Sequence, residues 1–174
     1  MRRERSTQPP DLRALSREEL EEVYQKTLDL AARLLTYRAL SASALREKLI
    51  AKGCAEEAAD YALAYLQEHG FQDDRKYAES TARSYTRRGY GTLRIRQELR
   101  RRGVEREDAD AVMEDYEPDY EAMTALLDKR LHGDLSDRKE VQKAIAALQR
   151  RGFLWEDIRR ALNDYGASID ADFD

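Results

Sequence analysis

Ile95-Arg96-Gln97-Glu98-Leu99-Arg100-Arg101-Arg102-Gly103-Val104-Glu105-Arg106-Glu107 is one of three versions of a single pattern in this chain. Gly53, Gly103 and Gly152 can be set as equivalent. The residue eight before is then Leu45, Ile95 or Ala144, and four before it is Leu49, Leu99 or Leu148. One after comes Cys54, Val104 or Phe153; four after, Glu57, Glu107 or Glu156; ten after, Leu63, Met113 or Leu162. The apolar columns fall where two helices would face each other across a glycine turn, because Gly takes the left-handed conformation that ends a helix without a Cβ penalty. The Glu column falls in the first turn of the second of those helices, where a negative charge meets the positive end of the helix dipole.

Working outward, each pair of helices is preceded by a third. Ser16-Arg17-Glu18-Glu19 has capping-box spacing. Leu20, Val23, Tyr24, Thr27, Ala31, Leu34 and Leu35 follow at helical intervals. Ser41 caps a short helix that closes at Lys52-Gly53, and a third helix runs from Ala55 to Glu68 before Gly70. In the second unit the leading helix spans Asp74 to Arg87, and in the third it spans Pro118 to Leu131, followed by a longer loop through His132, Gly133 and Asp134. The expected fold is all-α, three tandem three-helix repeats stacked into an elongated, curved molecule. Its parts are a disordered basic lead (1–15), repeat 1 (16–72), repeat 2 (73–117), repeat 3 (118–165) and an acidic tail (166–174).

Composition suits exposed helices with narrow apolar stripes. Of 174 residues, 38% are charged and 41% hydrophobic, with only three Pro. A single cysteine excludes an internal disulfide, no apolar run is long enough to span a membrane, and no secretory apolar segment follows the charged start; a cytoplasmic protein is expected. Catalytic chemistry finds no constellation. His69 and His132 stand alone at helix ends, where a cation offsets the dipole, so no metal site is expected. Cys54 shares a column with Val104 and Phe153 and is read as a small packing residue. Trp155 is read as packed at the start of the last helix, and Gly89-Tyr90-Gly91 as a hinge, too short for a dinucleotide fingerprint. Neither an enzyme nor a cofactor is expected.

The net charge of -4 conceals a segregation. From Arg83 to Arg102 eight arginines stand against Glu98 alone, while acid gathers from Glu105 to Glu121 and in the tail. On a helix from Thr92 to Arg102, with Ile95 and Leu99 inward, Arg94, Gln97, Arg100 and Arg101 point outward and Arg102 flanks the core. Arg87 and Arg88, at the preceding helix end, add to the same patch. Such a patch suits phosphates or an acidic protein groove. Cations just before Gly103 and Gly152 are accounted for by the helix dipole, but Arg94 and Arg96 lie near a helix start, where that account fails. Arg83, Arg87, Arg88, Tyr90, Arg94, Arg96, Arg100 and Arg101 are the candidate partner- or DNA-binding residues. Tyr90, between two glycines, either offers its ring to a base or protein pocket or packs on the neighbouring unit.

Three separated segments resemble the RecX family in order and spacing. Leu34 through Ser41, continuing to Lys52-Gly53, is similar to its first repeat. His69-Gly70-Phe71-Gln72-Asp73-Asp74-Arg75-Lys76-Tyr77-Ala78, followed by Arg88-Gly89-Tyr90-Gly91 and Arg94-Ile95-Arg96-Gln97-Glu98-Leu99, is similar to its most diagnostic stretch. Arg151-Gly152-Phe153-Leu154-Trp155-Glu156-Asp157-Ile158 resembles its third. The likeness runs from Leu28 to Leu162; it departs at Cys54, where a larger apolar residue is the family pattern, and in the first two helices of repeat 3. The resemblance implies a non-catalytic, monomeric, cytoplasmic protein that binds RecA filaments on single-stranded DNA. It would limit filament extension, ATP hydrolysis and strand exchange, in the setting of DNA repair, homologous recombination and the SOS response. Single- or double-stranded DNA is the further partner implied, and a DNA-binding repeat protein acting without a recombinase is the alternative.

Overall fold

The computed structural model describes residues 9–166. Of the expected lead and tail, residues 1–8 and 167–174 lie outside the described residues. Within the lead, Leu12–Ala14 form a 3-10 turn because the Asp11 carboxylate accepts from the Arg13 amide. The described residues then fold as nine α-helices with no strand: α1 (Arg17–Tyr37), α2 (Ala42–Ala51), α3 (Glu56–Glu68), α4 (Asp74–Arg87), α5 (Thr92–Arg101), α6 (Arg106–Glu114), α7 (Tyr120–Leu131), α8 (Arg138–Arg150) and α9 (Trp155–Asp164). The expected all-α array of three-helix repeats is what forms.

Local signals set most helix ends. Ser16 and Glu19 make the reciprocal capping box at the start of α1. Ser41 caps α2 through the Ala44 amide, and Asp137 caps α8 through Lys139 and Glu140. Two starts fall later than the sequence suggests. Ala55 is the N-cap of α3, without a side-chain bond. Asp119 caps α7 through Ala122, which leaves Pro118 outside the helix. Glu57, Glu107 and Glu156 all lie in first turns, as the column predicts.

By compactness the chain divides into two units. Unit 1 takes the residues up to Tyr77 together with Arg102–Glu105, and unit 2 takes Ala78–Arg101 with the residues from Arg106 on. In unit 1, Ala31, Leu40, Leu45, Leu49, Ala59, Ala62 and Leu66 form a buried cluster, with Cys54 and Leu63 half-buried against it. Leu63 is the one member of its column that is not buried: α3 packs on α1 as well as α2, and its small residues Ala58, Ala59 and Ala62 take the close approach. In unit 2, Met123, Leu127 and Leu131 of α7 interleave with Val141, Ala144, Ile145 and Leu148 of α8 and with Ile158 and Leu162 of α9. Repeat 3, whose first two helices carry little of the pattern, thus has a regular core.

The glycine turns do more than end helices. In unit 1 the Ser41 hydroxyl donates to the Arg102 carbonyl, and a Cβ on Gly103 would stand 3.0 Å from Ser43 Cβ. The same arrangement recurs in unit 2. There the Gly91 amide donates to the Arg151 carbonyl and the Leu93 amide to the Gly152 carbonyl, each at 2.9 Å. A Cβ on Gly152 would meet Arg94 N at 2.4 Å, and one on Gly91 would meet Phe153 N at 2.4 Å. The turn of the later repeat is thus seated on the N-terminus of the second helix of the repeat before it. Gly89-Tyr90-Gly91 is accordingly a packed seat and not a hinge: its backbone is pinned from the far side.

Candidate functional site

Helix α5 presents its cations as its apolar spacing dictates. Ile95 and Leu99 are fully buried, and Arg94, Gln97, Arg100 and Arg101 are exposed on the opposite side. Their surroundings differ. Arg94 donates to Gln97 Oε1 at 3.0 Å, and Arg100 makes no hydrogen bond or ion pair among the described residues. Arg101 holds Glu98 with two bonds, at 2.7 and 3.0 Å. Glu98 is only 4% exposed, so this fork supplies the counter-charge its burial demands. Arg96 is half-buried and ion-paired to Asp110 on α6, which Arg106 also reaches at 3.3 Å. The Arg96 guanidinium, with help from Arg106, holds the Asp110 carboxyl below the usual carboxylate range.

The arginines of α4 divide as well. Arg83 pairs with Glu79 at 3.7 Å, and Arg83 and Arg87 line a surface depression that also holds Glu79, Asp115 and Glu117. Arg88 turns toward aromatic rings instead, its guanidinium carbon 4.8 Å from the Tyr85 centroid and 5.4 Å from that of Tyr90. Tyr90 is half-buried, because Arg151 approaches its ring at 5.9 Å and Tyr85 packs at 5.3 Å. The Tyr116 hydroxyl donates to the Tyr90 carbonyl at 3.1 Å, and burial pushes that phenol up to about 12. Tyr90 thus packs between Tyr85 and Arg151 while staying partly exposed.

Four cations escaped the sequence reading of the site. Lys129 and Arg130 of α7, Arg150 of α8 and Arg151 line one groove with Leu126 and Ala147. The dipole of α8 accounts for Arg150, but Arg151 reaches beyond its own helix and donates to the carbonyls of Arg88 and Gly89, at 3.3 and 3.1 Å, and so caps α4. The glycine alignment carried a signal for this, because it sets Arg101 and Arg102 in the same columns as Arg150 and Arg151.

His69 ends α3, its Nδ1 donating to the Tyr65 carbonyl, and His132 ends α7. Among the described residues no group of three or more His, Cys, Asp or Glu is arranged to hold a metal ion, and no helix is long and apolar enough to cross a membrane.

This architecture has relatives. Models of the first, second and third three-helix domains of RecX match residues 28–74, 73–113 and 117–162. The chain belongs to the RecX family. The regulatory protein RecX of Stenotrophomonas maltophilia strain R551-3 is 38% identical over 139 residues, covering 79% of this chain and 85% of that protein. That of Escherichia coli O7:K1 is 36% identical over 151 residues, covering 78% and 89%. In fold, the crystal structure of RecX from Lactobacillus salivarius superposes with a TM-score of 0.78 at 20% identity, over 84% of this chain and 98% of that one. These relatives carry the name of regulatory proteins, and the RecX repeats match the three helical units read from the glycine columns.

Proposed function

We propose that this chain is a non-enzymatic regulator, mainly an inhibitor, of the RecA recombinase. It binds RecA filaments on single-stranded DNA in the cytoplasm, as a monomer, and limits filament extension, ATP hydrolysis and strand exchange. Its setting is DNA repair by homologous recombination and the SOS response. Membership of the RecX family is the observation that carries this reading. The distribution of charge supports it. Arg87, Arg94 and Arg100 are exposed, and among the described residues no carboxylate lies within ion-pair distance of any of them, so their charge is available to phosphates or to acidic protein walls. Arg88 adds a guanidinium held by two tyrosine rings. Arg83, Arg96 and Arg101 contribute to the field while serving carboxylates of their own.

The test is to add the protein to RecA filaments assembled on single-stranded DNA and follow ATP hydrolysis. The expected outcome is a dose-dependent fall that Arg87→Ala combined with Arg94→Ala and Arg100→Ala weakens. Unchanged hydrolysis at excess protein overturns the reading.

A further inference from the structure

Helices α7 and α8 end with more positive charge than their dipoles require, and the chain itself carries a matching anion. Lys129 and Arg130 occupy the last turn of α7, Arg150 the last turn of α8, and Arg151 follows directly; all four are exposed. With Leu126 and Ala147 they line a groove of about 500 Å³ that no acidic side chain lines. Each helix end amounts to only about half a negative charge, so two ends answer about one of the four cations and leave a surplus of about three. Nearby carboxylates are already engaged. Glu140 accepts from Lys143 on the same helix at 2.6 Å, and Asp128 of α7 accepts from the Tyr165 hydroxyl at 2.6 Å. Among the described residues Lys129, Arg130 and Arg150 have no ion-pair partner, and the two bonds of Arg151 go to neutral carbonyls.

The segment that follows the last described residue has the complementary chemistry. It reads Ala167-Ser168-Ile169-Asp170-Ala171-Asp172-Phe173-Asp174, three acids alternating with Ile169, Ala171 and Phe173. In an extended chain successive side chains point to opposite sides, so the three acids would share one side, about 6.6 Å apart, and the apolar residues the other. A helix would instead turn Asp172 about 200° away from Asp170 and Asp174. The point of departure is fixed. Besides its bond to Asp128, the Tyr165 hydroxyl accepts from the Gly133 amide at 3.1 Å, and a Cβ on Gly166 would stand 3.9 Å from Leu135. Residue 167 therefore starts beside the C-terminal end of α7. On that helix Asp128 lies about 200° from Leu126 and Arg130, a path of about 16–19 Å around a cylinder 10–12 Å wide. Eight extended residues span about 26–29 Å, and the four that end at Asp170 about 13–14 Å. The reach brings all three acids over the groove.

We infer that residues 167–174 dock in the groove between α7 and α8, Ile169 and Phe173 toward Leu126 and Ala147, the three carboxylates on Lys129, Arg130 and Arg150. Three acids answer the surplus of about three cations. A segment of the same chain also has an advantage over a free anion, because a short tether holds it at an effective concentration of about millimolar. The segment is a removable cover: an acidic or phosphate-bearing partner reaches these cations only by displacing it. The inference goes beyond the recombinase reading and does not rest on it, because both halves of the contact belong to this chain.

The experiment uses a carbodiimide, which joins a carboxylate to a lysine amine where the two touch. Lys129 is the one lysine that lines the groove, and Lys139, exposed at the start of α8, lies outside it. An equal mixture of unlabelled and nitrogen-15-labelled full chain is treated at low salt, and mass spectrometry compares the coupling of Asp170, Asp172 and Asp174 to the two lysines. Each exposed ion pair is worth a factor of about two to five, so three pairs should favour Lys129 about ten-fold or more. At about 1 M salt the screening length falls to about 3 Å, and the ratio should drop toward one. Arg130→Gln with Arg150→Gln keeps Lys129 and should lower the ratio about four-fold or more, since two of the pairs are lost. Both arginines are exposed and without an ion-pair partner among the described residues, so the far-ultraviolet circular dichroism should not change. As a second readout, Asp170→Asn with Asp172→Asn and Asp174→Asn should move the amide NMR signals of Leu126, Lys129, Ala147 and Arg150. Three outcomes overturn the inference: a ratio near one at low salt, cross-links that join labelled to unlabelled chains, which would make a second copy the occupant, or groove amides that stay in place in the Asn variant. Failure to alter ATP hydrolysis by RecA would count against the proposed function alone and would leave these readouts as they are.

Discussion

Arg94 and Arg96 stand two residues apart on α5, both poorly placed for the helix dipole, and the structure gives them different work. Arg96 reaches across to Asp110 on α6, whereas Arg94 bonds only to Gln97 on its own helix. Arg96→Ala is therefore expected to lower the melting temperature and to let the Asp110 carboxyl rise toward its ordinary range, and Arg94→Ala to change neither; thermal unfolding and an NMR titration of Asp110 decide this. The sign follows from linkage: a carboxyl depressed in the folded state stabilises the fold above its unfolded value of 3.8, and that contribution is lost as pH falls through the lower folded value. Tyr116 gives the opposite case. Its phenol keeps its proton up to about 12 in the fold against 10.0 when free, so its contribution is complete below pH 10 and is lost as pH rises through about 12. Tyr120 and Tyr165 are also raised, by burial and the nearby Asp157 for the first and by the bond to Asp128 for the second, so Tyr116→Phe should shrink the late component of phenolate absorbance by one tyrosine without abolishing it. Neither pairing was legible in the sequence. Periodicity tells which residues of α5 point outward, but the partner of Arg96 depends on how α5 crosses α6, and Tyr90 meets Tyr116 from beyond α6 and Arg151 from the next repeat.

At the scale of elements, the glycine columns were legible as helix ends and illegible as contacts. Gly70 and Gly152 look alike in sequence and both have positive φ, 72° and 85°. A Cβ on Gly70 meets nothing within 4 Å, while one on Gly152 would lie 2.4 Å from the backbone of Arg94. Gly70→Ala is expected to cost about 1–2 kcal/mol, the left-handed penalty alone. Gly152→Ala must add to that the displacement of a backbone amide and the loss of the bond from Leu93, and should cost several times more. Melting curves followed by circular dichroism compare the two, and equal losses would show that the seat does not matter. At the start of α7 a polar cap prevails over proline: the side-chain bond from the Ala122 amide to Asp119 sets the first turn and leaves Pro118 outside it.

For the molecule as a whole, three-fold repetition was the most legible property, because the columns Leu49/Leu99/Leu148 and Leu45/Ile95/Ala144 are completely buried in every copy. The candidate site was legible only as composition. An arginine-rich segment stands out in the sequence of repeat 2, but the structure gives several of those arginines to carboxylates and rings. It also collects unanswered charge on α7 and α8, where no dense run announces it. Surplus charge is a balance among neighbours in space, which a count along the chain does not measure.

The seating of one repeat's glycine turn on the helix N-terminus of the repeat before it has unlike halves: one repeat supplies a socket, the next a plug. Such a joint is directional, and it couples any change in copy number to a fixed grammar. A duplicated repeat can be accommodated only if it brings both a socket for its successor and a plug for its predecessor. Serine forms the socket in the first joint and glycine in the second, so the two plugs are not interchangeable: Gly103 fits beside a hydroxyl, and Gly152 fits against the backbone and Cβ of Arg94. The order of the repeats is thus written into the joints themselves, and swapping repeats 2 and 3 would mismatch every connection.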